Sequence, residues 1–218
     1  MLKASDLYSI PADFAFRDFF SLESYPWEWL PKIKEALANF SEWNGQKLET
    51  PPSLYIGKEV YIGKGVLLPA FGSIEGPAYI GDGCQLRPGV YIRGNVITGK
   101  NCVLGNSCEY KNCLLFDQVE SPHYNYVGDS ILGTKSHLGA GAILSNLRLD
   151  KKNICIKTPE GYVNTGMRKI GGILGEGSQV GCNSTLNPGT ILAKGSIVYP
   201  NLAFAGFLGE GKTANRGI

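Results

Sequence analysis

From position 56 an aliphatic residue returns at nearly every sixth place. The chain reads IGKEVY, IGKGVL, LPAFGS, IEGPAY, IGDGCQ, LRPGVY, IRGNVI, TGKNCV, LGNSCE, YKNCLL, ten units in one frame that ends at Leu115. A second frame, LGTKSH and LGAGAI, opens at Leu132, and a third, LGEGSQ, VGCNST, LNPGTI, LAKGSI, VYPNLA, runs from Leu174 to Ala203. Each unit predicts a short strand and a corner where Gly supplies a positive φ. The leading residue points inward, and the fifth points inward beside it and is small. Three units close a triangular coil, and coils stack at a strand spacing of ~4.8 Å. Apolar residues three units apart then form ladders such as Ile56, Ile74 and Ile92. A six-residue period over about seventeen units predicts an all-β parallel β-helix over 51–218.

Residues 1–50 follow a different pattern. Phe14, Phe16, Phe19, Phe20, Trp27, Trp29 and Trp43 make them aromatic-rich. Pro26 suits a first helical turn, and Trp29, Leu30, Ile33, Leu37 and Phe40 recur at helical spacing, which predicts a helix over about 26–40. Because a stacked scaffold needs covered ends, this segment is expected to lie as a helical cap against one end of the solenoid. The Gly-rich tail after Leu202 is expected to cover the other end.

The repeat falters over 104–146, and both histidines, His123 and His137, lie there. A regular scaffold that breaks where its imidazoles sit points to a site. A further stretch, about 145–169, has no hexad pattern and carries Arg148, Lys151, Lys152, Lys157, Arg168 and Lys169. It is too long for a plain connector and reads as an irregular arm that reaches a neighbouring subunit and supplies cations.

Composition narrows the classes. The net charge of +2 marks neither a nucleic-acid nor an acidic-membrane binder. No apolar run approaches the ~18 residues of a membrane span, and no signal peptide is visible, so a cytoplasmic location is expected. None of the six cysteines forms a CxxC pair. The spacing of Cys84 and Cys102 permits a disulfide. Stacked thiols filling core space are preferred, because Val60 and Val66 occupy equivalent positions.

With this period the chain resembles the hexapeptide-repeat acyltransferases, a resemblance that implies a left-handed coil and a homotrimer. RPG at 87–89, CEYKN at 108–112, PHYNYVGDSILG at 122–133 and LGAGAILSN at 138–146 keep their order and spacing. They resemble the acetyltransferase domain of UDP-N-acetylglucosamine pyrophosphorylase/glucosamine-1-phosphate N-acetyltransferase enzymes. NLRLDKK at 146–152 and TGMRKIGGILGEGSQVGCN at 165–183 are similar to the archaeal sugar-1-phosphate acetyltransferases. The resemblance covers about 55–203 and implies acetyl-CoA-dependent N-acetylation of an amino-sugar 1-phosphate. No Gly-rich loop of a nucleotidyltransferase is present, which leaves a separate nucleotidyltransferase as a candidate partner.

The residues fit that chemistry. An ammonium must lose a proton before it attacks a thioester, and histidine titrates near neutrality. The resemblance makes His123 the general base and Glu109 the carboxylate that orients it. Glu109 and Lys111 are two apart and share a strand face. Arg87, Lys111, Lys152 and Lys169 are implied to hold the phosphate, a task suited to a planar guanidinium and to ammonium groups. Tyr126 is implied to touch the sugar, and Asn146 to lie near the acetyl group. Ala140, Cys182 and Asn183 are implied to line the coenzyme A path. His137 departs from the family, which has asparagine there against the acceptor sugar; Tyr199 and Pro200 depart along the coenzyme path.

Two other readings compete. A metal hydratase needs three histidines at an open zinc, and the chain has two, so no metal is expected. A non-catalytic trimeric module that serves a separate nucleotidyltransferase is the alternative to the enzyme.

Overall fold

The computed structural model describes residues 1–43 and 49–215. They form a parallel β-solenoid with three flat faces. Face one stacks Ser53–Ile56, Phe71–Glu75, Val90–Arg93, the first half of Glu109–Leu115, the first half of Tyr126–Leu132, Ile143–Leu144, Thr185–Leu186 and Ala203–Phe204. Face two begins with Val60–Ile62 and ends with Phe207–Leu208; face three begins at the Leu67–Gln85 bridge and ends with Thr213–Ala214. Glu109–Leu115 and Tyr126–Leu132 run unbroken from face one to face two, which joins the two faces into one sheet.

The predicted ladders are present. Ile56 pairs with Ile74 and Ile74 with Ile92, each one full coil of three hexads further on. The column continues inward through Tyr110, Val127, Leu144, Leu186 and Phe204. Where the hexad reading falters the coil does not stop. It loses a single position per turn, so Glu109 pairs with Tyr126 and Tyr126 with Ile143. Cys84 and Cys102 are free stacked thiols, with the Cys102 amide donating to Cys84 Sγ at 3.3 Å.

Three expectations are corrected. Helix α1, Trp29–Ala38, enters through a 3-10 turn at Pro26–Glu28, but it does not close an end. It lies on the outer side of face two. The outward column there is Tyr61, Tyr79, Ile97, Leu114, Ile131, Ile173, Ile191 and Phe207, an apolar stripe that water would otherwise meet. Tyr8, Phe14, Phe16, Trp29 and Leu30 bury it, and Trp29 and Phe14 pack on Phe116. The tail is no lid either: 203–214 completes another coil.

The arm is also more ordered than expected. The rung above Ile143 is Thr185, far beyond the next coil in sequence, so the whole arm is inserted at the corner between faces one and two. It carries an antiparallel hairpin, Cys155–Thr158 with Gly161–Asn164. Ile154, Ile156 and Ile170 bury themselves beside Ile173 and Ile191, which draws the arm onto its own solenoid.

Candidate active site

His123 ends the strand Glu120–His123 on face three, at the corner leading to face one. Its imidazole is exposed and makes no hydrogen bond among the described residues; its carbonyl accepts from Gly141 at 3.0 Å. The rung above places Ala140 over it, and the next places Cys182 over Ala140. The three side chains therefore form one vertical row on a single edge. Arg87 lies two coils beneath, half-buried, with Nη2 3.4 Å from Gln85 Oε1. Asn183 is the corner residue beside Cys182, with φ +55°, and its backbone N–H donates to Ala140 O at 2.8 Å. A left-handed corner favours Asn, so a structural duty accounts for it.

Glu109 does not reach His123. Its carboxylate accepts from Arg93 Nη1 at 2.7 Å, and Arg93 in turn lies over the Tyr91 ring. The imidazole that does have a carboxylate is His137, with Nδ1 3.1 Å from Glu120 Oε2 on the adjacent rung of face three. Gln118, Lys135 and Gln179 surround that pair.

A second cluster lies at the opposite end of face one, across 126–128, at the corner where the arm departs. Its hub is Asp129, which the sequence reading missed. Asn112 Nδ2 donates to Oδ1 at 2.8 Å and Asn146 Nδ2 to Oδ2 at 2.5 Å. Lys111 Nζ stands 3.7 Å from Oδ2. Asn146 Nδ2 is also 3.1 Å from the Tyr126 hydroxyl. The Tyr126 ring lies flat across Gly128, where a Cβ would collide with the phenol and with the Asn146 amide. Burial first, then the Asp129 and Glu109 carboxylates, push the Tyr126 phenol up, so it stays a proton donor at neutral pH.

Four of the sequence candidates, Lys111, Tyr126, Asn146 and Lys169, therefore gather around one buried carboxylate. Asp129, Leu147, Lys151, Met167, Arg168 and Lys169 line an open cleft of about 640 Å³. Lys152 does not line it. Lys152 is exposed on the arm with its backbone N–H on Asp150, and its neighbour Lys151 faces the cleft instead. The arrangement offers an unpartnered imidazole on one side of face one and uncommitted cations on the other. Among the described residues no group of three or more metal-ligating side chains comes together.

Known proteins bear on this geometry. The family model described as the GMPPB C-terminal domain matches residues 74–199. The bifunctional protein GlmU of Methanococcus vannielii is 29% identical over 201 residues, 92% of this chain and 47% of that protein. GlmU of Methanocaldococcus jannaschii is 34% identical over 164 residues, 75% of this chain and 40% of its own length. The bifunctional sugar-1-phosphate nucleotidylyltransferase/acetyltransferase of Sulfurisphaera tokodaii is 30% identical over 125 residues, 57% of this chain and 31% of its length. The chain spans less than half the length of these curated relatives. Since the family model takes in more than half of the chain, including His123, Asp129 and Cys182, this protein belongs to the GMPPB C-terminal domain family.

Proposed function

We propose that this chain transfers an acetyl group from acetyl-CoA to the amine of an amino-sugar 1-phosphate, as a homotrimer in the cytoplasm. The observation that carries the reading is the exposed imidazole of His123, without a hydrogen-bond partner among the described residues, at one end of the face-one rung whose other end, at Asp129, carries the Lys111, Lys151 and Lys169 cations. An acceptor laid across face one would present its ammonium to His123 and its phosphate to the cations. His123 takes the proton, and the free amine attacks the thioester, whose chain runs along the Ala140–Cys182 edge. The name of the Sulfurisphaera tokodaii relative, which joins sugar-1-phosphate nucleotidylyl transfer to acetyl transfer, supports the class of acceptor. Among the described residues no helix is long and apolar enough to cross a membrane.

The test is thiol release from acetyl-CoA over a panel of amino-sugar phosphates. His123→Ala removes an exposed side chain, so it should lower turnover by about 10²–10⁴-fold with an unchanged melting temperature. Full activity in that variant ends the assignment. One observation favours a non-catalytic module that partners a separate nucleotidyltransferase: Glu109 is engaged by Arg93 and leaves His123 without an orienting carboxylate. Failure to bind acetyl-CoA, together with co-purification of a nucleotidyltransferase, would select that reading.

A further inference from the structure

Asp129 is the one charged side chain buried among the described residues. It occupies a left-handed corner, φ +47°, where the chain leaves face one. Burial of a carboxylate is costly unless its oxygens are bonded. Here each oxygen is already taken by an amide, Asn112 on one and Asn146 on the other. The carboxylate is therefore satisfied and fixed without Lys111.

That changes the meaning of the Lys111 contact. At 3.7 Å the ammonium is beyond the 2.7–3.2 Å range of an N–H···O hydrogen bond. It is attracted but its three N–H donors are uncommitted. The same holds one step further along. Asn146 donates to the Tyr126 oxygen, so the phenolic proton is left for another acceptor. A single carboxylate, which itself lines the cleft of Lys151, Arg168 and Lys169, thus has a cation beside it and, through Asn146, a neutral donor. A carboxylate next to an anion site weakens it, unless the carboxylate is what gives the donors their pose.

We propose that Asp129 is a positioning residue for a phosphoryl group: it holds Lys111 directly and Tyr126 through Asn146 in the pose from which both donate to phosphate oxygens. The identity of the ligand, a sugar carrying a phosphomonoester, rests on the acyl-acceptor reading above. The placement of the donors does not. An amide at position 129 would turn an N–H₂ towards one of the two Asn donors and would release Lys111.

The test uses the full chain with four probes: glucosamine 1-phosphate, glucosamine, inorganic phosphate and acetyl-CoA. Asp129→Asn should weaken binding of glucosamine 1-phosphate and of inorganic phosphate at least tenfold. It should raise KM for the phosphorylated acceptor by a similar factor. KM for acetyl-CoA and the affinity for glucosamine should stay within twofold. In a Lys111→Gln/Tyr126→Phe background the same change should add less than twofold. Asn112→Ala, which removes one anchor and leaves the charge, should give a smaller loss of the same kind and serves if Asp129→Asn does not fold. Unchanged phosphate affinity, or an equal loss for acetyl-CoA and phosphate, makes Asp129 merely structural and overturns the proposal. A wild-type protein that binds phosphate without transferring acetyl defeats the enzyme reading and leaves this one standing. A wild-type protein that binds no phosphate defeats both.

Discussion

Ser136, Ser178 and Ser196 bury their hydroxyls in consecutive coils with no hydrogen-bond partner among the described residues. They continue the small-residue ladder that runs through Val66, Cys84, Cys102 and Val119. The position demands small size and offers nothing polar, so each hydroxyl forfeits the bond it would make to water, a cost of about 1–3 kcal/mol. Alanine keeps the volume class and removes the cost. Ser178→Ala should therefore be neutral or stabilising by up to about 1 kcal/mol, read as the urea midpoint; a clear loss of stability means that the hydroxyl does have a partner. The same ladder shows what the sequence could and could not reveal about the site. His123 was legible, because a titrating side chain in a break of the repeat stands out. That Glu109 is held elsewhere was not. Same-face spacing puts Glu109 and Lys111 on one strand surface, but pairing is decided across rungs, where Arg93 reaches diagonally to Glu109. The His137–Glu120 pair belongs to a shortened coil, and counting three full hexads sets His137 opposite Val119 instead. Asp129 was hidden for a different reason: in a GD corner a buried hub and a solvated turn have the same letters.

The N-terminal element was predicted as a helix and misplaced, and the missing signal lay in the repeat itself. An open solenoid end asks for any cover, whereas the outward stripe from Tyr61 to Phe207 on face two asks for an apolar one. Faces one and three carry no unbroken stripe: Ser73, Glu109 and Thr185 interrupt Tyr55, Tyr91 and Ile143 on one, and Gln85, Glu120 and Gln179 interrupt Leu67, Val103 and Ile197 on the other. Reading the outward positions coil by coil would have sent α1 to the flank. Trp29 is the centre of that contact, 1% exposed, with its indole N–H donating to Ser21 O at 3.0 Å. Trp29→Ala should cost about 3–5 kcal/mol and uncover Ile131 and Leu114. The loss should appear in chemical unfolding together with new binding of an apolar dye. A variant that loses less than about 1 kcal/mol, the size of an ordinary surface change, would mean that the segment rests on face two without supporting it. The arm was legible as an insertion because it breaks the hexad frame. Its hairpin was missed although 154–158 alternates buried and exposed and Pro159, Glu160 and Gly161 supply a turn; the return strand Gly161–Asn164 does not alternate, and the surrounding lysines and arginines gave the stretch the look of a charged loop.

On the scale of the molecule, the helical segment and the arm hairpin cover the outer side of face two, which leaves face one, the corner where the arm departs and the edge between faces three and one open. That edge bears His123, Ala140 and Cys182 in one row, and further along it the exposed Tyr199. The cysteines turn this geometry into a measurement. Cys84, Cys102, Cys108 and Cys113 are buried, and only Cys155 and Cys182 are exposed. For Cys108 burial raises the thiol pKa, and for Cys113 burial drives it far higher still, so neither is a competent nucleophile in the folded chain. Native alkylation should modify two thiols, and the other four should follow only on unfolding. The two exposed thiols sit in different places: Cys155 lines an arm cleft of about 700 Å³ with Arg148 and Tyr162, and Cys182 stands two rungs above His123. A thioester delivered to His123 along the edge must pass Cys182 and has no reason to approach Cys155. Saturating acetyl-CoA should therefore slow alkylation of Cys182 at least tenfold and leave Cys155 unchanged, read peptide by peptide in a mass spectrometer. Protection of Cys155 instead would move the coenzyme to the arm cleft. Equal rates at both thiols in an active preparation would rule out this edge as its path.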